Sequence, residues 1–115
     1  MTTIAMRTSD SNPLLVLMTA ANKEEATRLA EMLVGSHLAA CVQILPEMES
    51  VYRWQGKIER TPEILLLAKT VSSKFLSLER EVRSLHSYET PEIVAVPISN
   101  ASAPYLEWLS NSLEP

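Results

Sequence analysis

A long predicted β-hairpin centred on Gln55-Gly56 constrains the fold of this 115-residue chain more than any other feature. Two β-prone runs, residues 37–54 and 57–70, meet at this dipeptide, and Gly56 supplies the positive φ that a two-residue turn needs. An arm of roughly 14 residues spans on the order of 45 Å. A compact domain of this length has a diameter of only about 35 Å. The hairpin is therefore predicted to extend beyond its own domain.

Large apolar side chains lie near the tip of this hairpin, at Val51, Tyr52 and Trp54. Apolar surface of this size is costly to leave in water, and Trp and Tyr are common anchors of protein interfaces. We therefore predict that these three residues lie in an interface between copies of the chain.

The remaining pattern predicts an α+β fold with the order β-α-β-β-α-β and a C-terminal helix. Residues 14–19 form an apolar run typical of a central strand, and Asn22 caps the first helix. The first turn of that helix contains Glu24 and Glu25, which are well placed for the helix dipole. Ser72 or Ser73 caps the second helix, and residues 92–98 form the last strand. The apolar stripe predicted for the second helix contains Phe75, Leu78, Val82 and Leu85. This order is that of the ferredoxin-like fold, whose helices cover one sheet face and leave the other to be buried by a further subunit.

Prolines mark irregular positions in the predicted sheet, because proline cannot donate a hydrogen bond to a neighbouring strand. Pro46 interrupts the first hairpin arm, so we expect a bulge there, opposite Thr61-Pro62. Pro97 lies near the end of the last strand and predicts that this strand is at an edge of the sheet.

Composition and charge exclude several classes of partner. The net charge of -4 leaves no basic face for nucleic acid, and no apolar run approaches the length of a membrane span. The single cysteine, Cys41, excludes an intrachain disulfide and suits a reducing compartment. Residues 1–12 lack the apolar core of a signal peptide and are predicted to be a flexible tail before a single domain at 13–115. These observations predict a cytoplasmic location.

The sequence lacks the usual signatures of catalysis. It contains no G-x-S-x-G nucleophile motif and no Gly-rich phosphate loop, and its two histidines, His37 and His86, belong to no evident triad. Residues 19–23, the loop after the first strand, also lack the arginine that an acyl-phosphate hydrolase of this fold would use. We therefore predict that the protein is not an enzyme and uses no organic cofactor.

A partial metal site is one interpretation of the segment H-S-Y-E-T-P-E. His86 ends the second predicted helix and Glu92 begins the next strand, while Met18 ends the first strand with a thioether that suits Cu(I). The alternative interpretation is structural, with His86 stabilised by the helix dipole and by an ion pair with Glu92, and with Met18 in the core.

Lys69 closes an otherwise apolar strand, so its charge requires a partner. An organic anion in a cleft is one possibility, with Tyr88 and Glu89 as further contacts. A structural salt bridge is the other. The candidate carboxylates for that salt bridge are Glu59, Glu63 and Glu92.

Several segments in this order resemble the CutA divalent-cation tolerance proteins. The most similar segments are L-A-A-C-V-Q-I-L-P at 38–46, S-V-Y-R-W-Q-G-K-I-E at 50–59, E-I-L-L-L-A-K-T at 63–70, H-S-Y-E-T-P-E-I at 86–93 and Y-L-E-W-L at 105–109. The resemblance covers nearly the whole chain. It implies a ferredoxin-like fold in a tight homotrimer, with each hairpin wrapped onto a neighbouring subunit.

The resemblance also implies a role in tolerance of copper or another divalent cation. The copper ligands of the family, a cysteine, a histidine and a glutamate, correspond here to Met18, His86 and Glu92. The thioether of Met18 replaces a thiolate, so the resemblance implies weak metal binding near an intersubunit cleft. Ser87 stands where proline is common. The family trimer is similar to that of PII-type signalling proteins, so a small-molecule signalling protein and a scaffold without ligand are the alternatives.

Overall fold

The computed structural model describes residues 11–115. These residues form five strands and three α-helices, and a short 3-10 turn at Ser72–Lys74 precedes the second helix. In chain order the elements are β1 Pro13–Ala20, α1 Lys23–Gly35, β2 Cys41–Ile44, β3 Met48–Trp54, β4 Lys57–Val71, α2 Phe75–Leu85, β5 Ile93–Pro97 and α3 Ala103–Ser112. This is the predicted order, with the first hairpin arm divided into β2 and β3.

The strands form one antiparallel sheet in the order β2-β4-β1-β5. The inner half of β4 lies between β1 and β2, and its outer half pairs with β3 alone. Strand β5 pairs with β1 at the edge of the sheet, as Pro97 predicted. The arrangement confirms the ferredoxin-like α+β fold.

The hairpin turn has the backbone geometry that the sequence predicted. Gln55 and Gly56 both have positive φ, at 51° and 79°, and Trp54 pairs directly with Lys57 across the turn. Because β3 and the outer half of β4 pair only with each other, the described residues extend over 54 × 27 × 23 Å. The long axis confirms that the hairpin extends beyond the compact part of the molecule.

A bulge follows β2, at the position of Pro46. Ile44 lies opposite Leu66, whereas Met48 lies opposite Glu63, so four steps along one arm match three along the other. The extra residue in the first arm shifts its register against β4 by one position. Side chains of the first arm beyond the bulge therefore lie on the opposite face from the one that an unbroken alternation would give them. The bulge was predicted, but Pro62 lies opposite Glu49 rather than Pro46.

The two faces of the sheet differ in their cover. Helices α1 and α2 bury one face, and the largest core side chains there are Val16, Met18, Leu29, Leu33, Leu66, Leu78 and Val82, all with no exposed surface. The alternate residues lie on the opposite face, which we call the open sheet face. It contains the half-buried Leu15, Leu17, Leu65 and Leu67 together with the exposed Val94 and Val96. One chain therefore leaves a largely apolar surface accessible.

The start of α2 differs from the prediction. Neither Ser72 nor Ser73 caps it, because residues 72–74 form a 3-10 turn and Lys74 occupies the cap position without a side-chain bond. The Ser72 hydroxyl instead donates a hydrogen bond to the carbonyl of Asn12, at 3.3 Å. Leu85, predicted in the core, is 41% exposed at the last turn of the helix.

Most of the predicted flexible tail at residues 1–12 lies outside the described residues. Of that segment only Ser11 and Asn12 are described, and the carbonyl of Asn12 also accepts a bond from the Ser72 N–H. Among residues 11–115, no helix is long and apolar enough to cross a membrane.

Candidate functional site

Glu25 is the most unusual polar residue in the structure, because its carboxylate is almost completely buried under the helix layer. Asn22 caps α1 by accepting a hydrogen bond from the Glu25 N–H, at 2.9 Å. The Glu25 side chain then reaches back, and its Oε1 accepts from the Ala21 N–H at 2.9 Å. The arrangement resembles a capping box, except that the N–H bound by Glu25 belongs to Ala21, one residue before the cap. It fixes the carboxylate at the entrance to α1.

The second oxygen of Glu25 joins α1 to the loop that follows α2. Its Oε2 accepts a hydrogen bond from the Ser87 N–H at 2.6 Å and lies 3.7 Å from Nδ1 of His86. The sequence interpretation gave Glu25 only the role of an acidic residue near the helix dipole. Its position in the sequence also indicates burial, since Glu25 lies four residues before Leu29 and therefore on the same buried face of α1.

His86 is held by backbone groups at both of its ring nitrogens, and its side chain is fully buried. Nε2 lies 2.7 Å from the carbonyl of Thr19, which can only accept, and Nδ1 lies 3.0 Å from the Tyr88 N–H, which can only donate. These partners assign the neutral ring with its proton on Nε2. The nearby carboxylate is Glu25, so the ion pair with Glu92 that the sequence suggested is wrong.

Tyr88 connects the same loop to the hairpin. Its hydroxyl donates a 2.8 Å hydrogen bond to Oε2 of Glu63, a buried residue of β4, and its ring lies 4.8 Å from that of His86. We call Glu25, His86, Ser87, Tyr88 and Glu63 the junction cluster. It fastens the helix layer and the loop after α2 to the base of the hairpin.

Two residues of the junction cluster have shifted acidities. Burial of the Glu25 carboxyl opposes its ionisation, but hydrogen bonds from the backbone of Ala21 and Ser87, helped by the Ser87 side chain, hold the pKa of Glu25 below its usual 4.5. Burial, together with the hydrogen bond to Glu63 and its negative charge, raises the pKa of Tyr88 to about 12. Glu25 is therefore an anion and Tyr88 a neutral donor at neutral pH.

The three predicted metal ligands have very different surroundings. Met18 has no exposed surface and packs in the core below the helices. Glu92 is exposed and makes no hydrogen bond or ion pair with another described residue. Among residues 11–115, no three His, Cys, Asp or Glu side chains are grouped so that they could hold a metal ion. In one chain these residues do not fit a ready-made copper site, and metal binding by them stays a prediction.

A second cluster of polar residues lies on the open sheet face, at its β2 edge. Lys69 Nζ donates to Oε1 of Gln43 at 3.1 Å and lies 5.5 Å from the centre of the Tyr105 ring. Cys41, directly opposite Lys69 in the register, has its Sγ 3.8 Å from the Tyr105 hydroxyl. We call Lys69, Gln43 and Tyr105 the lysine cluster.

The structure corrects the predicted partners of Lys69. None of the carboxylates of residues 11–115 forms an ion pair with it. The Glu63 carboxylate instead accepts a hydrogen bond from the Tyr88 hydroxyl. Lys69 and Tyr88 therefore belong to separate clusters, and Glu89 is exposed in the loop beside the junction cluster.

The hairpin residues predicted for an interface are exposed in the single chain. Val51 is 54% exposed, Tyr52 42% and Trp54 58%, and the neighbouring Ile58 is also exposed. Tyr52 has its hydroxyl 2.8 Å from Oγ1 of Thr61 on β4. Apolar surface concentrated on an extended element is a feature of interaction sites.

An open groove of about 750 Å³ lies between the start of α1 and the bulge after β2. Its polar lining comes from Asn22, Lys23, Glu24 and Glu47, and its apolar lining comes from Ile44, Leu45, Pro46 and Ile64. None of the predicted ligand residues lies in this groove.

The fold and the accessible apolar surfaces define a small α+β protein of the ferredoxin-like class with an exposed hairpin and one largely apolar, accessible sheet face. Comparison with known proteins identifies its family. Residues 14–112 match the model of the CutA1 divalent ion tolerance proteins. The chain belongs to this family, as the sequence segments suggested.

Individual relatives agree with this assignment. The divalent-cation tolerance protein CutA of Thermus thermophilus is 46% identical over 95 residues, which cover 83% of this chain and 92% of that protein. The chloroplastic protein CutA 1 of rice is 44% identical over 99 residues, which are 86% of this chain but 56% of the rice protein. A solved structure of the periplasmic divalent cation tolerance protein CutA from Archaeoglobus fulgidus superimposes with a TM-score of 0.86 at 39% identity, covering 89% of this chain and 99% of that one.

These relatives contradict the predicted cytoplasmic location. The rice protein is chloroplastic, and the Archaeoglobus protein is described as periplasmic. Members of one family therefore occupy different compartments. A single cysteine such as Cys41 does not distinguish them, because a fold with a sufficient core needs no disulfide in any compartment.

Proposed function

We propose that the chain acts in divalent-cation tolerance as a homotrimeric binding protein, without catalysis, and that it holds a metal ion weakly near a cleft between subunits. The observation that supports this most is the accessible apolar surface, which comprises the hairpin residues and the open sheet face. Large exposed apolar patches on a well-packed domain indicate an interaction surface. Family membership supplies the link to divalent cations.

We propose weak rather than tight metal binding because two of the three candidate ligands, His86 and Met18, are buried in other contacts. Glu92 is free to bind, but a metal on Nδ1 of His86 would have to displace the Tyr88 N–H. Met18 would have to leave the core. A ligand from a neighbouring subunit would then complete the coordination of a metal ion bound to Glu92.

Calorimetry with Cu(II), Zn(II) and anaerobic Cu(I) tests the metal proposal. Glu92→Gln removes an exposed carboxylate and should raise the dissociation constant about tenfold or more, since a carboxylate ligand is lost. Glu31→Gln, an exposed carboxylate on α1, is the matched control. His86→Gln is a second variant, and its thermal unfolding must be recorded because the ring is buried. Equal dissociation constants for wild type, Glu92→Gln and the control would contradict a metal role for Glu92.

The groove beside α1 favours a second candidate, binding of a small organic molecule as in PII-type proteins. Its volume lies in the range of small-molecule sites, and it combines apolar walls with a few polar groups. A thermal-shift screen with nucleotides and carboxylic acids separates the two proposals. A response to organic ligands supports this candidate, whereas a response to metal salts alone contradicts it. A scaffold without ligand predicts no response in either assay.

A further inference from the structure

The lysine cluster carries a positive charge that no carboxylate of the described chain neutralises. The Lys69 ammonium has three hydrogens, and the one described acceptor is the neutral amide oxygen of Gln43. The Tyr105 ring adds an attraction for the cation but no negative charge. The cluster therefore presents unused donors from the Lys69 ammonium and from the amide nitrogen of Gln43.

The surroundings of Lys69 determine what kind of partner fits. Leu15 lies opposite Lys69 on β1, and Leu67 is two residues away on the same face, so the charge lies within the apolar open sheet face. A partner that covers this face removes Lys69 from water, and a buried cation is costly unless it is paired. The partner must therefore bring both apolar surface and a carboxylate.

A second copy of the chain supplies both. It has the same apolar open sheet face, and acidic residues exceed basic ones, 14 to 10. Exposed carboxylates that form no ion pair within the described chain include Glu92, next to the open sheet face, and Glu107, on α3 two residues after Tyr105.

We infer that in the assembly a carboxylate of a second copy binds Lys69, so that the lysine cluster is an ionic contact between subunits. This inference rests on the proposed self-association and names a charge contact within it. Such a contact fixes which surfaces meet, because a displaced subunit would leave Lys69 buried without a partner.

Dilution of Lys69→Met, followed by mass photometry at 50 mM and at 1 M NaCl, tests the contact. Loss of the Lys69 charge should raise the dissociation constant of the oligomer at least about tenfold at 50 mM NaCl. The difference from wild type should shrink at 1 M NaCl, because salt screens the charge contact. Lys69→Arg, which keeps the charge, should assemble like wild type. Arg28→Met removes a positive charge from an exposed position on α1, in the helix layer and outside the groove, and should leave assembly unchanged.

Charge reversal identifies the carboxylate. Lys69→Glu should dissociate more than Lys69→Met, and combining it with Glu92→Lys or Glu107→Lys should restore assembly for the pair in contact. Restoration by either supports the inference. Failure of both, together with a salt-independent loss in Lys69→Met, would overturn it.

A subunit contact at Lys69 is distinguished from a site for a free carboxylate by two further outcomes. If wild type assembles and Lys69→Met dissociates no more readily, while citrate stabilises only wild type, the cluster binds a free carboxylate and the subunit contact is overturned. If wild type is monomeric at every concentration, the proposed homotrimer fails first, and the inference fails with it. Wild-type assembly that is unaffected by Lys69→Met overturns the inference alone.

Discussion

Glu25 is the residue whose role in the structure differs most from its role in the sequence interpretation. The helix cap at Asn22 is a local feature that the sequence predicted, and the structure confirms it. The bond to the Ser87 N–H joins residues 62 positions apart, and no local pattern identifies such a partner. The contacts of Lys69 could not be predicted for the same reason, since they depend on where α3 packs.

Glu25→Gln should lower the free energy of unfolding by about 1–3 kcal/mol, because one amide oxygen cannot replace both carboxylate oxygens and the Ser87 N–H would face a donor. Urea unfolding measures the change. Glu24→Gln, the exposed neighbour in the same helical turn, should differ from wild type by no more than about 0.5 kcal/mol. Similar losses in both variants would show that the buried carboxylate has no special role.

The stability that Glu25 contributes should also depend on pH. The pKa of Glu25 is lowered in the folded state, so the contribution is present above its usual value of 4.5 and is lost as the pH falls through the folded pKa. The difference in unfolding free energy between wild type and Glu25→Gln should therefore be constant near pH 7 and should shrink below about pH 4.5. A difference that grows in acid would contradict the assignment of Glu25 as a buried anion.

At the scale of elements, the hairpin was predictable and the loop after α2 was not. The turn residues and the apolar runs that define the hairpin are consecutive in sequence, and the bulge follows from a single proline. By contrast, residues 86–92 contain no helix or strand, and their conformation depends on Glu25 and Glu63, which come from α1 and β4. The start of α2 was mispredicted because the Ser72 hydroxyl bonds to Asn12 rather than to the helix.

The two glycines of the chain allow a matched test of the turn. Neither has an atom in the way of an added Cβ, but Gly56 has a φ of +79° and Gly35 lies in α1. Gly56→Ala should cost about 1 kcal/mol of unfolding free energy through backbone strain, whereas Gly35→Ala should be neutral or stabilise by up to about 1 kcal/mol. Thermal unfolding of both variants measures this. A harmless Gly56→Ala would contradict the turn geometry.

At the scale of the whole molecule, one chain exposes more ordered apolar surface than an isolated domain requires. The hairpin tip and the open sheet face lie on different parts of the molecule, so one neighbour in contact with each would give a cyclic assembly. A homotrimer is the state that the family resemblance implies. Within one chain, the junction cluster fixes the base of the hairpin to the helix layer and to the loop after α2.

Trp54→Ala tests the hairpin as an interface. If the 58% exposed side chain is an anchor, its removal should raise the dissociation constant of the oligomer on the order of 30-fold or more. Light scattering over a dilution series measures the effect. Leu76→Ala removes a side chain that is 74% exposed on α2, in the helix layer, and serves as the control. A mass distribution of Trp54→Ala that matches wild type at every concentration would exclude Trp54 as an anchor.

Sedimentation equilibrium of the wild-type protein at low micromolar concentration tests the proposed homotrimer of this CutA-family chain. The single chain has a mass of 12.8 kDa. We expect a species of about three times that mass, since both accessible apolar surfaces are then covered. A mass of one chain at all concentrations would contradict it.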